Sequence, residues 1–247
     1  MFSLIEKKKW RKIRQLLKSS KGFDLCQEKD SSNLTCLALA LGHNAPIEVI
    51  QGIISIDASL PITADMFGAS ALHVACLNGS SIEGIRLIAS QYKELLTTVD
   101  YDERGPLHHA VEFACQSGDE HYSYEDVIEF LCTQAPEMVS KHDKSGDSPI
   151  DLVQLVKIDI TERSKEYARL HRIYSILRKT SINLYRENKK RWELEGFIEQ
   201  LQIDDKVTKK TDTTDSVSSI SSMTSNQSSA VNSLERKKAC KRTLLER

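Results

Sequence analysis

The sequence predicts an all-α chain built as a helical solenoid, and three observations lead there. A short phrase returns along the chain: Thr35-Cys-Leu-Ala-Leu-Ala40, Ser70-Ala-Leu-His-Val-Ala75, Gly105-Pro-Leu-His-His-Ala110 and Ser148-Pro-Ile-Asp-Leu-Val153. Its apolar anchors Leu37, Leu72, Leu107 and Ile150 are 35, 35 and 43 residues apart, a period at which each unit buries its apolar face only against its neighbours. Second, an apolar helical stripe follows the phrase at a regular offset, as Ile47/Ile50/Ile53 and Ile82/Ile85/Ile88, spaced to pack on the preceding helix. Third, an aspartate stands six residues before the position after each N-cap: Asp65 before Ala71, Asp100 before Pro106 and Asp143 before Pro149. With Gly68 and Gly146 these aspartates read as tight turns, the side chain supplying an acceptor and glycine a positive φ.

The elements follow in order. Residues 1–29 read as a basic N-terminal capping helix, with Ile5, Trp10, Ile13, Leu16 and Leu17 on one face and Lys7, Lys8, Lys9, Arg11, Lys12, Arg14 and Lys18 on the other. Solenoid ends need such a polar outer face. The repeats occupy 30–160 as about four units, 30–64, 65–99, 100–142 and 143–160, the first and last degenerate. In the third unit the second-helix stripe, Tyr124, Val127, Phe130 and Leu131, is displaced by seven residues, which fall in the polar loop 116–123. Glu103 replaces the turn glycine there. Residues 161–203 predict a long charge-rich helix, with Leu170, Ile173, Tyr174 and Leu177 on one face and Trp192, Leu194, Phe197, Ile198 and Leu201 forming a second apolar patch. Its apolar residues either fold back on the repeats or pair with another chain as a coiled coil. Residues 204–247 predict a disordered Ser/Thr-rich tail with a short basic end.

Phrase, turn and second-helix stripe together resemble the ankyrin consensus, T-P-L-H-x-A with paired helices; Asp65 to Gly79 is the clearest copy. The resemblance covers residues 30–160. It implies a helix-turn-helix solenoid that recognises partners through hairpin tips and the concave face of the first helices. On this reading the contact residues are Met66, Phe67, Tyr101, Asp102, Glu103, Arg104, Lys144 and Ser145. His73 and His108 take the family's histidine position, where imidazole holds neighbouring backbone.

Composition narrows the function. Net charge is −1, which argues against indiscriminate adhesion to nucleic acid, and no stretch reaches the roughly 20 apolar residues of a membrane span. A cytoplasmic or nuclear location is expected. Cys26, Cys36, Cys76, Cys115, Cys132 and Cys240 show no zinc spacing and read as packed thiols. No phosphate-loop, dinucleotide, nucleophile-elbow or metalloprotease motif is present. A metal site from His109, His121, Glu112, Asp119 and Glu120 is disfavoured, because adjacent His108 and His109 diverge on a helix. No metal, cofactor or catalysis is expected.

The function predicted is a non-catalytic protein-interaction module, an adaptor or scaffold, whose partner is another protein. Asp100, Asp102 and Glu103 form either a solvated hairpin or a surface that selects a basic segment of that partner. The basic ends are a solvated cap or an electrostatic site for nucleic acid, acidic lipid or import machinery. The Ser216–Ser233 tract is a tether or a phosphate acceptor. The alternative function is therefore a nucleic-acid-associated or phospho-regulated regulator, and self-association through the long helix is the structural alternative.

Overall fold

The computed structural model describes residues 1–117, 122–158, 160–162 and 164–211. They divide into two units, Met1–Trp192 and Glu193 onward. All regular structure in the described residues is helical, apart from an isolated bridge between Lys29 and Thr35.

The first unit opens on three short helices, α1 (Phe2–Glu6), α2 (Trp10–Leu17) and α3 (Lys21–Gln27), rather than the single capping helix expected. The break lies at Lys8, whose φ of +50° takes the chain out of the right-handed helix. Ile5 and Ile13 are fully buried while Lys7, Lys8, Lys9, Arg11, Lys12 and Arg14 face solvent. Gly22 packs against the end of α2, where an added Cβ would lie 2.6 Å from the Leu16 carbonyl oxygen.

Paired helices follow. They are α4 (Cys36–Gly42) with α5 (Ile47–Ile56), α6 (Ala71–Leu77) with α7 (Ile82–Gln91), and α8 (Pro106–Gln116) with α9 (Tyr124–Gln134); α10 (Pro149–Ile158) comes next. The first helices pack in series, α4 on α6, α6 on α8, and α8 on α10; α5 packs on α7 and α7 on α9. At the leading end α1 packs on α4 and α2 on α5, continuing both rows. The recurring anchors Leu37, Leu72 and Leu107 are buried in this arrangement. Ile150 is only half-buried because α10 ends its row, and Val153 takes over as the buried residue. Short 3-10 turns, Lys93–Leu96 and Pro136–Ser140, fill the exits of α7 and α9 with Leu95, Leu96, Met138 and Val139.

Each first helix starts at a capped end, which explains the phrase. Thr35 Oγ1 accepts from the Ala38 amide at 3.1 Å. In α6 and α8 the histidine at the third helical position reaches back: the Ser70 and Gly105 amides donate to Nδ1 of His73 and His108, both at 3.2 Å. This is the reach of a capping-box glutamate, performed by imidazole. Asp151 does the same in α10, accepting from the Ser148 amide at 2.9 Å and its hydroxyl at 2.6 Å.

The turns before these helices share one geometry. Oδ1 of Asp30, Asp65, Asp100 and Asp143 each accepts two backbone amides at 2.8–3.0 Å. Asn33, Gly68, Glu103 and Gly146 each take a positive φ, at +61°, +81°, +61° and +87°. Glu103 therefore keeps the turn that its side chain disfavours. Replacing Glu103 with glycine relieves left-handed strain and should raise stability by about 0.5–1 kcal/mol, the strain relief exceeding the entropy that glycine adds to the unfolded chain. A thermal melt of E103G lying at or below that of the parent would contradict this.

Finally α11 (Lys165–Thr211) continues through Thr180-Ser181 without interruption and runs past the end expected at Ile203. Leu170, Ile173 and Leu177 are fully buried. Arg169 donates to the Ala114 carbonyl at 3.1 Å and lies 4.8 Å over the Tyr124 ring, and Arg172 pairs with Glu125 at 2.8 Å. The start of this helix thus folds back on α8 and α9, the first of the two outcomes expected for it. The second unit is described only as the continuation of α11 from Glu193 to Thr211. The rest of the expected tail, including the Ser216–Ser233 tract and the basic end, lies outside the described residues.

Candidate interaction surface

The four turns form a continuous row because their backbones bond to one another. Met66 donates its amide to the Ser32 carbonyl, Tyr101 to that of Phe67, and Lys144 to that of Asp102, each at 2.9 Å. A row built from main-chain bonds leaves its side chains free to vary. Met66, Phe67 and Tyr101 project from it with 54%, 61% and 66% of their surface exposed. Asp102, Glu103, Lys144 and Ser145 are exposed beside them. The Tyr101 ring also covers Gly68, where an added Cβ would lie 2.7 Å from Cδ1. Seven of the eight expected contact residues therefore share one exposed edge.

Arg104 does not join them. Its Nε donates to Asp143 Oδ2 at 3.0 Å and its Nη1 to Glu112 Oε2 at 3.1 Å, beneath the edge. The Asp143 side chain is only 1% exposed. Burial opposes the charge of Arg104, yet Asp143, Glu112 and Asp100 hold the guanidinium firmly protonated. Burial likewise opposes the Asp143 carboxylate, but the Asp147 amide and Arg104 hold it below the usual carboxylate range. The sequence offered no hint of this, because Asp143 lies 39 residues away.

Asp100, expected as one of three acids on the tip, is also internal. Its Oδ2 meets His109 Nε2 at 2.8 Å, and its side chain is 8% exposed. Burial works against ionisation, and the Arg104 amide and His109 overcome it, so the carboxyl titrates low. Only Asp102 and Glu103 remain as surface acids, and Glu103 has Lys141 Nζ at 3.7 Å.

The histidines serve the stack. His108 caps its helix through Nδ1 and meets the Lys141 carbonyl through Nε2 at 3.1 Å, spanning to the next turn. His73 Nε2 is buried with no hydrogen bond, and the His73 and His109 rings meet edge-on at 5.7 Å. Burial, with His109 close by, pushes His73 down to about 4.

Among the described residues no three His, Cys, Asp or Glu side chains converge on a metal-sized site; His121, Asp119 and Glu120 lie outside them. Cys26, Cys36, Cys76 and Cys132 are buried and Cys115 partly so, all as free thiols, while Cys240 is outside the described residues. Burial pushes Cys115 up to about 11 and Cys132 to about 12, which keeps both protonated and unreactive. No described helix is long and apolar enough to cross a membrane. No protein-family model matches the chain, and no curated protein shows significant similarity to it.

Proposed function

We propose that this chain is an ankyrin-repeat interaction module, an adaptor or scaffold that binds another protein through its row of turn tips and does no chemistry itself. The observation that carries this reading is the backbone-bonded row from Ser32 to Lys144, which displays Met66, Phe67 and Tyr101 together on one edge. Aromatic anchors ringed by polar residues are where binding energy concentrates in protein interfaces. Lys144 and Ser145 extend the edge, and Asp102 with Glu103 favours a basic segment on the partner. Buried free thiols suit a reducing compartment, cytoplasm or nucleus.

The test is site-specific photo-crosslinking in the native cell from a benzophenone amino acid placed at position 67 or 101, with position 55, on the second-helix side, as control. A shared partner band from positions 67 and 101, absent at 55, reduced at least tenfold by Y101A when the probe is at 67 and by F67A when it is at 101, is the expected result. Labelling that is equal from all three positions, or absent from the tips, would reject the reading.

A further inference from the structure

The part of α11 that follows its buried segment carries a second surface. Leu177 is the last residue of α11 in the first unit to be buried. Beyond it, Arg178, Ile182, Tyr185, Lys189 and Trp192 succeed one another at spacings of four, three, four and three. That spacing places all five on one helix face, as in the seam of a left-handed helix pair. All five are exposed, Tyr185 at 63% and Trp192 at 61%. Arg178 and Arg186 flank Ile182 one turn to either side, and neither has an ion-pair or hydrogen-bond partner among the described residues. The open groove that contains Ile182 is lined by Arg178, Lys179 and Arg186 and by no carboxylate. Glu187, the single acid between Arg178 and Trp192, stands five residues from Ile182 and so turns away from this face.

We infer that this face docks an acidic amphipathic helix of a partner protein, laid along α11 over about 21 Å between Arg178 and Trp192. The sign of the charge selects an anionic partner. The alternation of cation and apolar side chain at heptad spacing selects one whose own period is seven residues, with apolar seam residues flanked by Glu or Asp. A second copy of the chain fits poorly, because pairing two such faces sets arginine and lysine against arginine and lysine. A lipid surface requires apolar and basic residues on separate faces, whereas here they share one. This docking site is independent of the turn tips, and either surface can fail without the other.

The test measures anisotropy of a labelled synthetic peptide, three heptads with leucine seams and flanking glutamates, titrated with the full-length protein. Its controls are a lysine-flanked version of the peptide, a uridine oligonucleotide and vesicles of anionic lipid. The acidic peptide is expected to bind, and to bind at least tenfold more tightly than the lysine version. R178E/R186E should weaken it at least tenfold and reverse the preference between the two peptides, while Y185A/W192A should weaken it without reversal. All four positions are exposed, and unchanged circular dichroism checks that the fold is kept. The inference is overturned if the two peptides bind alike or neither binds, or if the oligonucleotide or vesicles displace the acidic peptide. It is equally overturned if sedimentation shows a dimer that R178E/R186E abolishes.

Discussion

Replacing Arg104 with alanine should lower the free energy of unfolding by about 3 kcal/mol, the range expected when one partner of a buried ion pair is removed. The loss falls mostly on Asp143, whose Oδ1 is committed to the Ser145 and Asp147 amides and whose Oδ2 has Arg104 as its cation. Buried at the foot of a turn, that carboxylate would be left with an uncompensated charge. A double-mutant cycle isolates the pair. D143N alone should be costly, yet in the R104A background it should cost little, because asparagine keeps the turn acceptor and removes the stranded charge. Lysine at position 104 should recover less than half the loss, since one ammonium does not reproduce bonds from Nε and Nη1 to two separate carboxylates. Urea titrations showing less than 1 kcal/mol of change in R104A, or strictly additive losses in the double variant, would contradict this account.

Acid should loosen the stack well before its carboxylates protonate. His73 is neutral in the fold and titrates at about 4, against an ordinary 6.5 in the unfolded chain. The unfolded chain therefore binds the proton first, and stability falls as pH is lowered. The contribution is fully present above 6.5 and is lost progressively between 6.5 and 4. At 1.36 kcal/mol per tenfold difference in proton affinity, the loss approaches about 3 kcal/mol. The groups facing His73 are His109 on α8, Asp100 with the backbone of Thr98 and Arg104 around the turn between the helix pairs, and Ser70 at the head of its own helix. Asp100, titrating low, remains charged across this window and moderates the loss. H73Q, which keeps a helix-capping acceptor but takes up no proton, should be less stable than the parent at pH 7. Its stability should decline less steeply between pH 7 and 4.5. Parallel stability curves for the two proteins would place the acid sensitivity elsewhere.

Local rules made the helical class and most helix positions legible. A hydroxyl or glycine before an apolar run, and apolar residues at three- and four-residue spacing, marked α4 to α10 because capping and amphipathicity act within a few residues. The turn at Glu103 was legible from its aspartate, although its glycine is missing. What stayed hidden depends on partners distant in the chain. Arg104 looked like a tip residue until Asp143 was brought beside it, and Asp100 looked like a surface acid until His109 closed over it. The break at Lys8 was missed because the stripe from Ile5 to Leu17 is also that of one continuous helix. The opening segment of α11 was readable as apolar, but not the α8 and α9 surfaces that receive it.

The longest interval between anchors, 43 residues, has a consequence for how this molecule tolerates change. Part of the extra length extends α8 itself, 11 residues against 7 in α4 and α6, and the rest lies in the connection to α9, at the opposite end of α8 from the turns; the main-chain bonds from Phe67 to Tyr101 and from Asp102 to Lys144 run on as though the unit were of ordinary size. Length is thus a free variable on one side of the stack and a fixed one on the other. New sequence accepted at the far end of α8 can give the protein a further accessory while the edge of turn tips keeps its pitch, so display and elaboration can evolve on separate sides of the same unit.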